Sequence, residues 1–148
     1  MEWTERPAGA EDEPAIFRMS REIIDKYEDL RAIDYPRVLD WVQQNIKDSI
    51  VNYRAVLVDG ETAGYYCLTP GEGGLELDGL YLLPEFQSQG IGTEILRACM
   101  ERAGVEEQPL RLFVFRANKG AVRLYRRMGF ETIAEVGNTR LRMEYHAK

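Results

Sequence analysis

The sequence predicts an α/β (α+β) chain built on a mixed, mostly antiparallel twisted sheet, and three observations carry that expectation. Runs with strand periodicity and runs with helix periodicity follow the order strand, two helices, three strands, helix, strand, helix, two strands. Turn signals at Asp59-Gly60 and Gly137-Asn138 join neighbouring strands as hairpins. Between two of the strands the chain passes through a helix, a connection that pairs strands in parallel.

A short strand at Trp3 to Arg6 opens the chain. From Glu11 to Asp29, Ile16, Met19, Ile23, Ile24 and Tyr27 recur on one helical face behind an acidic first turn. Pro36 suits the first turn of a second helix, in which Leu39, Val42 and Ile46 repeat at helical spacing; a loop near Leu30 to Tyr35 joins the two. Val51 to Asp59 and Thr62 to Thr69 read as a hairpin. Pro70 to Gly74 reads as a turn-rich loop without strand potential, and Leu75 to Leu83 as a third strand that Gly79 interrupts, which suggests a bulge.

A helix from Gly90 to Ala103 places Ile91, Ile95, Ala98 and Cys99 on one face and ends at Gly104. Leu110 to Phe115 is apolar throughout apart from Arg111, as in a strand buried on both faces. Asn118 caps a helix that carries Ala121, Leu124, Tyr125 and Met128 and stops at Gly129. Strands Phe130 to Val136 and Thr139 to His146 close the chain across a two-residue turn. With no linker, repeat or low-complexity tract in its 148 residues, the whole of 1–148 reads as one domain.

Composition narrows the function classes. Hydrophobic content is 45% and charged content 30%, a globular balance with no run long enough to span a bilayer. The acidic start lacks the pattern of a secretion signal, so the expectation is a cytoplasmic protein away from membranes. Two cysteines far apart and a single histidine, His146, give no zinc or thiol-redox pattern and no Ser-His-Asp arrangement, so no metal is expected. Net charge is −6, yet residues 111 to 148 carry 9 Lys/Arg against 3 Asp/Glu. The overall acidity favours a cationic small-molecule or protein amine as partner and opposes nucleic acid.

The informative stretch is LPEFQSQGIGTEILRACM, Leu83 to Met100, where a strand breaks into glycine-rich backbone just as a helix begins. The first amides of a helix lack internal partners and sit at the positive end of its dipole, which suits a phosphate. Gly90 and Gly92 would let such a group approach the backbone, while Gln87 and Thr93 would donate further hydrogen bonds. The stretch matches neither a G-x-x-x-x-G-K-[ST] loop nor G-x-G-x-x-G.

Gln87-Ser88-Gln89-Gly90-Ile91-Gly92 resembles the Q/R-x-x-G-x-G/A signature of the GCN5-related N-acetyltransferase (GNAT) superfamily. Asn118-x-x-Ala121-x-x-Leu124-Tyr125-x-x-x-Gly129-Phe130 is similar to a second segment of the family, and the order of elements agrees throughout. The resemblance implies a sheet of about six to seven strands with four flanking helices, splayed at the central parallel pair. It implies transfer of an acetyl group from acetyl-CoA to a primary amine by direct attack in a ternary complex. It places the pyrophosphate on Gln87, Ser88, Gln89, Gly90, Ile91, Gly92 and Thr93. The pantetheine arm would lie along Leu80, Tyr81 and Leu82, near Asn118, and Tyr125 would protonate the departing thiolate.

An amine of pKa ~10.4 is neutral in only about one molecule in 2,500 at pH 7, so deprotonation costs about 4.6 kcal/mol and a base is valuable. Glu76, which stands where histone-type members carry a glutamate, and Asp78, two residues on, are the candidates. Backbone amides near Leu82 would steady the carbonyl oxygen. Tyr35, Trp41, Tyr53, Tyr65, Tyr66 and Tyr81 are candidate pocket aromatics. A CoA-binding module without transfer activity is the alternative reading, in a monomer or homodimer.

Overall fold

The computed structural model describes residues 2–147; Met1 and Lys148, which the single-domain reading also included, lie outside the described residues. The strands are β1 (Thr4–Pro7), β2 (Tyr53–Val58), β3 (Glu61–Gly71), β4 (Gly74–Leu82), β5 (Leu110–Phe115), β6 (Glu131–Val136) and β7 (Arg140–Tyr145). The α-helices are α1 (Glu13–Tyr27), α2 (Tyr35–Ser49), α3 (Ile91–Val105) and α4 (Lys119–Arg127). Single 3₁₀ turns at Ala10–Asp12, Ile50–Asn52 and Pro84–Phe86 lead into or out of them. No described helix is long and apolar enough to cross a membrane.

All seven strands form one sheet in the order β1-β2-β3-β4-β5-β7-β6, antiparallel except for β4 and β5. Helices α1 and α2 cover one face over β2 and β3, burying Ile16, Met19 and Ile46 against Tyr53, Ala55, Tyr65 and Cys67. The opposite face carries α3 and α4: Ile91, Ile95, Leu96 and Val122 pack on Leu75, Leu77, Leu112, Val114 and Met143. Full burial of one such side chain, Ile95 at 0% exposure, contributes roughly 1.5–3 kcal/mol. Cys67 and Cys99 lie in these two cores, and burial pushes both thiols up to about 12, which leaves them unreactive packing groups.

Four expectations need correction. Pro70 to Gly74 is not an open loop: β3 and β4 stay paired through Pro70↔Leu75 and Gly71↔Gly74, leaving only Glu72-Gly73 to turn. Gly104 does not end α3. It sits inside the helix, and Glu107, at φ 55, takes the left-handed position, with Gln108 N donating to Ala103 O at 2.9 Å and Glu107 N to Gly104 O at 3.1 Å. The final hairpin pairs Val136 with Arg140, so its connection has Gly137, Asn138 and Thr139, not two residues.

The fourth concerns β5, which is not buried on both faces. Leu110, Leu112 and Val114 point into the α3/α4 core, whereas Phe113 is 48% exposed. This side of the strand looks onto open space, with residues of α1 and α2 on its far wall.

Candidate functional site

That open space is a consequence of how β4 and β5 pair. Their parallel ladder holds only Leu75↔Leu110 and Glu76↔Arg111; beyond it the strands diverge, although β4 runs on to Leu82 and β5 to Phe115. A cleft of about 390 Å³ occupies the fork. Leu80 and Tyr81 of β4, Phe113 and Phe115 of β5, Asn118, Ala121 and Tyr125 around α4, and residues of α1 and α2 line it. Leu83 N donates to Ala63 O on β3 at 2.8 Å, so by strand alternation the amides of Leu82 and Leu80 face away from β3 and into the gap.

The two candidate bases are separated by a bulge. Cys67 pairs with Gly79 and Leu68 with Leu77, which leaves Asp78 as the extra residue, one position before the glycine that signalled a bulge. Asp78 lines the cleft, and its Oδ2 accepts from Thr69 Oγ1 at 2.7 Å. Solvent reaches it, yet burial in the cleft wall raises its carboxyl above the ordinary range; the Thr69 hydrogen bond pulls the other way, and Glu76 adds to the rise.

Glu76 does not line the cleft. Arg142 holds it with both guanidinium nitrogens, Nη1 at 2.8 Å from Oε2 and Nη2 against Oε1. Arg111 Nη1 stands 3.8 Å from the same carboxylate, while Arg111 Nε lies 3.2 Å from Glu144 without the alignment of a hydrogen bond. Glu76 is thus the acid of an ion cluster at the closed end of the fork.

Tyr125 reaches the cleft from α4. That helix begins where Asn118 Oδ1 accepts from Ala121 N at 3.3 Å and ends with Gly129 at φ 105. There Phe130 N donates to Tyr125 O at 2.9 Å and Gly129 N to Arg126 O at 3.1 Å. Burial first, and Tyr81 nearby second, push the Tyr125 phenol up to about 12, so it stays protonated at neutral pH. The same burial raises the Tyr81 phenol, with Ser20 opposing.

At the start of α3, Ser88 (φ 59) and Gly90 (φ 86) both adopt left-handed backbone. A Cβ on Gly90 would have no heavy atom within 4 Å apart from its chain neighbours, so the space over the helix start is open. Among the described residues, the amides of Gln89 to Thr93 find no acceptor on the backbone. The glutamine side chains turn inward: Gln87 Nε2 donates to Leu82 O at 2.9 Å and Gln89 Nε2 to Glu85 O at 2.8 Å. They shape the loop, leaving donation outward to its backbone. The cleft lining itself stops at Tyr81, and Leu82 with the Gln87 to Thr93 loop lies past its rim.

Of the aromatic candidates, Trp41, Tyr53 and Tyr81 line the cleft. Tyr65 instead binds Asp12, Tyr66 binds Glu5, and Tyr35 binds Asp25. Phe113 and Arg140 line the cleft without having been singled out in the sequence; their proximity is a cross-strand relation that the sequence pattern does not carry.

A family model for the acetyltransferase (GNAT) family matches residues 16–130. The chain belongs to the GNAT family. Solved GNAT-like structures share its fold over nearly the whole length. The PaiA N-acetyltransferase of Thermoplasma acidophilum, in complex with coenzyme A, matches with a TM-score of 0.76 at 20% identity, covering 99% of this chain and 100% of that one. Ard1 of Thermoplasma volcanium matches with a TM-score of 0.71 at 15% identity, covering 100% and 99%. The ribosomal-protein-S18-alanine N-acetyltransferase of Escherichia coli matches with a TM-score of 0.69 at 16% identity, covering 98% and 94%. No curated protein sequence matches the chain. The forked, mostly antiparallel seven-stranded sheet with one parallel pair is the GNAT fold.

Proposed function

We propose that this GNAT protein transfers an acetyl group from acetyl-CoA to a primary amine by direct attack, with both substrates bound together. The observation that carries the reading is the fork itself: one cleft brings together the unpaired strand backbone of Leu80, the raised carboxyl of Asp78 and the protonated phenol of Tyr125.

The chain fits the donor. Open space over Gly90 and the outward amides of Gln89 to Thr93 suit a pyrophosphate. The Leu80 and Leu82 amides, facing the gap, suit the amide-bearing pantetheine arm, with Asn118 on the opposite wall. Acetyl-CoA supplies the activated acetyl thioester.

Asp78 is the better placed base, since Glu76 is committed to Arg142. A carboxyl whose proton affinity is raised by burial accepts the amine proton more readily than an ordinary one. Tyr125 Oη would give its proton to the leaving sulfur, and its elevated affinity for that proton keeps it loaded until then. The cation-seeking acceptor expected from net charge is not reinforced by the cleft, whose lining has one acid, Asp78, and one base, Arg140.

The test is release of free CoA thiol across a panel of primary amines, alongside calorimetric titration of CoA. Transfer to any of them supports the proposal. Tight CoA binding with no transfer would favour the catalytically silent module, and absence of CoA binding would exclude both.

A further inference from the structure

On the side of the fork away from α3 and α4, Phe115 pairs with Arg140 and Phe113 with Arg142 across β5 and β7, so these four side chains share one sheet face. Both guanidinium groups stack on the Phe113 ring, Arg142 at 4.2 Å and Arg140 at 5.1 Å from its centroid. Their situations differ. Arg142 is 8% exposed and clamped to Glu76, whereas Arg140 is exposed, lines the cleft, and has no carboxylate within ion-pair distance among the described residues. The ring contact holds the Arg140 guanidinium near Phe113 without using its N–H donors.

Across the cleft α2 presents Trp41, 66% exposed, with Val42 and Asn45 beside it. Two large exposed aromatics facing one cavity, one of them topped by an unengaged guanidinium, are costly to leave uncovered in water. The acid that would receive an amine, Asp78, lines the same cavity.

We infer that the acceptor is a small zwitterionic amine with an apolar or aromatic body, its amino group at Asp78, its body between Trp41 and Phe113, and its anionic group on Arg140. This inference rests on the proposed transferase reading and names the acceptor class for that site. The shared chemistry of the anion is a planar or tetrahedral oxyanion able to take two guanidinium hydrogen bonds, either a carboxylate or a phosphonate. A small molecule fits better than an extended polypeptide. β5 is paired with β7 along one edge, and its other edge, unpaired beyond Arg111, faces the fork that the donor's pantetheine arm would fill, so it is not left for a peptide backbone.

The experiment compares L-phenylalanine, its phosphonate analogue, L-phenylalaninamide and 2-phenylethylamine as acceptors for the wild type and for Arg140→Gln. Binding of each to the CoA-saturated protein is followed in parallel by tryptophan fluorescence. A charged hydrogen-bonded pair corresponds to roughly 10-fold to 100-fold, so the wild type should favour the anionic amines over the other two by that factor in kcat/KM. In Arg140→Gln the ratio should collapse toward one, with KM for acetyl-CoA unchanged. Carboxylate preferred over phosphonate, or the reverse, identifies which oxyanion is read. Equal use of all four acceptors by the wild type, or an equal loss on all four in Arg140→Gln, overturns the inference. Should no acceptor be acetylated, preferential fluorescence binding of the anionic amines still supports it while the transferase reading fails; equal or absent binding overturns it as well.

Discussion

The rings of Phe130 and Tyr125 lie 5.6 Å apart, and the Phe130 amide closes a hydrogen bond onto the Tyr125 carbonyl at 2.9 Å. One residue therefore fixes both the backbone and the side chain of the other, through the hydrophobic contact that accompanies this kind of helix end. The phenol is held by its downstream neighbour in the chain, and its hydroxyl contributes little to that hold.

Tyr125→Phe should accordingly keep the ring packing and the melting temperature within about 2 °C. If Oη supplies the proton to sulfur, kcat should fall roughly 100-fold while the Kd for CoA stays within about twofold. Single-turnover kinetics with calorimetry checks both; unimpaired turnover removes Tyr125 from the role.

Asp78→Asn separates chemistry from folding. The carboxyl is raised in the folded state, so its ionised form is disfavoured by folding, and neutralising it should not lower the melting temperature at pH 7. Activity should behave oppositely if the ionised form is the base. Wild-type kcat/KM should decline as pH falls through a value above the ordinary carboxylate range, and Asp78→Asn should be slow and lack that limb. A pH–rate profile of both proteins tests this.

Gly90→Val forces a β-branched residue into φ 86 over the open start of α3. The expected result is a loss of about 1–2 kcal/mol in stability and a weakening of CoA binding by about tenfold or more. Gly90→Asn, which tolerates left-handed backbone, should recover most of the stability and less of the binding. Equal recovery of both would mean that strain alone was responsible.

Asp12 is a stability prediction remote from the cleft. Buried at 4% exposure, it accepts from Arg6 at 2.9 and 3.0 Å, from Gly9 N at 2.9 Å and from the Tyr65 hydroxyl at 2.8 Å. The Arg6 hydrogen bond, with those from Gly9 and Tyr65, lowers its carboxyl to about 2 against the cost of burial. A folded value depressed from ~3.9 contributes about 2 kcal/mol, present above the unfolded value and lost as pH falls through about 2. Asp12→Ala should cost about 3 kcal/mol at pH 7, because three donors lose their acceptor, and acid unfolding should flatten over that window. Urea denaturation from pH 2 to 7 measures it.

Glu107→Gly should stabilise the protein by about 0.5–1 kcal/mol by relieving left-handed backbone at the end of α3. A chemical melt is sufficient.

Element order, the type of each long element and the turn at Asp59-Gly60 were legible because periodicity and turn chemistry are local properties. The exact ends of α3 and of the last hairpin missed by a residue or two, and the larger failures were decided by partners distant in sequence. Pro70 reads as a strand breaker, but pairing with Leu75 carries β3 past it. Gly104 reads as a stop, but α3 runs two residues further than that signal would have it. Phe113 reads as core because β5 is apolar, but the fork between β4 and β5 leaves it facing an open cleft. Glu76 and Asp78 look equivalent in a strand; one inserted residue sends the second into the cleft, and Arg142, far along the chain, claims the first. The Arg140 stack on Phe113 depends on strand register, which no local signal encodes.

With two register pairs joining β4 to β5, the sheet is a continuous fabric left unstitched along one seam. Any molecule that threads the seam does the work of a missing strand, so occupancy and fold stability become a single quantity. At a hundred times its Kd such a molecule would add about 2.7 kcal/mol to unfolding. The melting temperature of the protein would then read out the ligand level around it, and the free form should be the one most exposed to proteolysis.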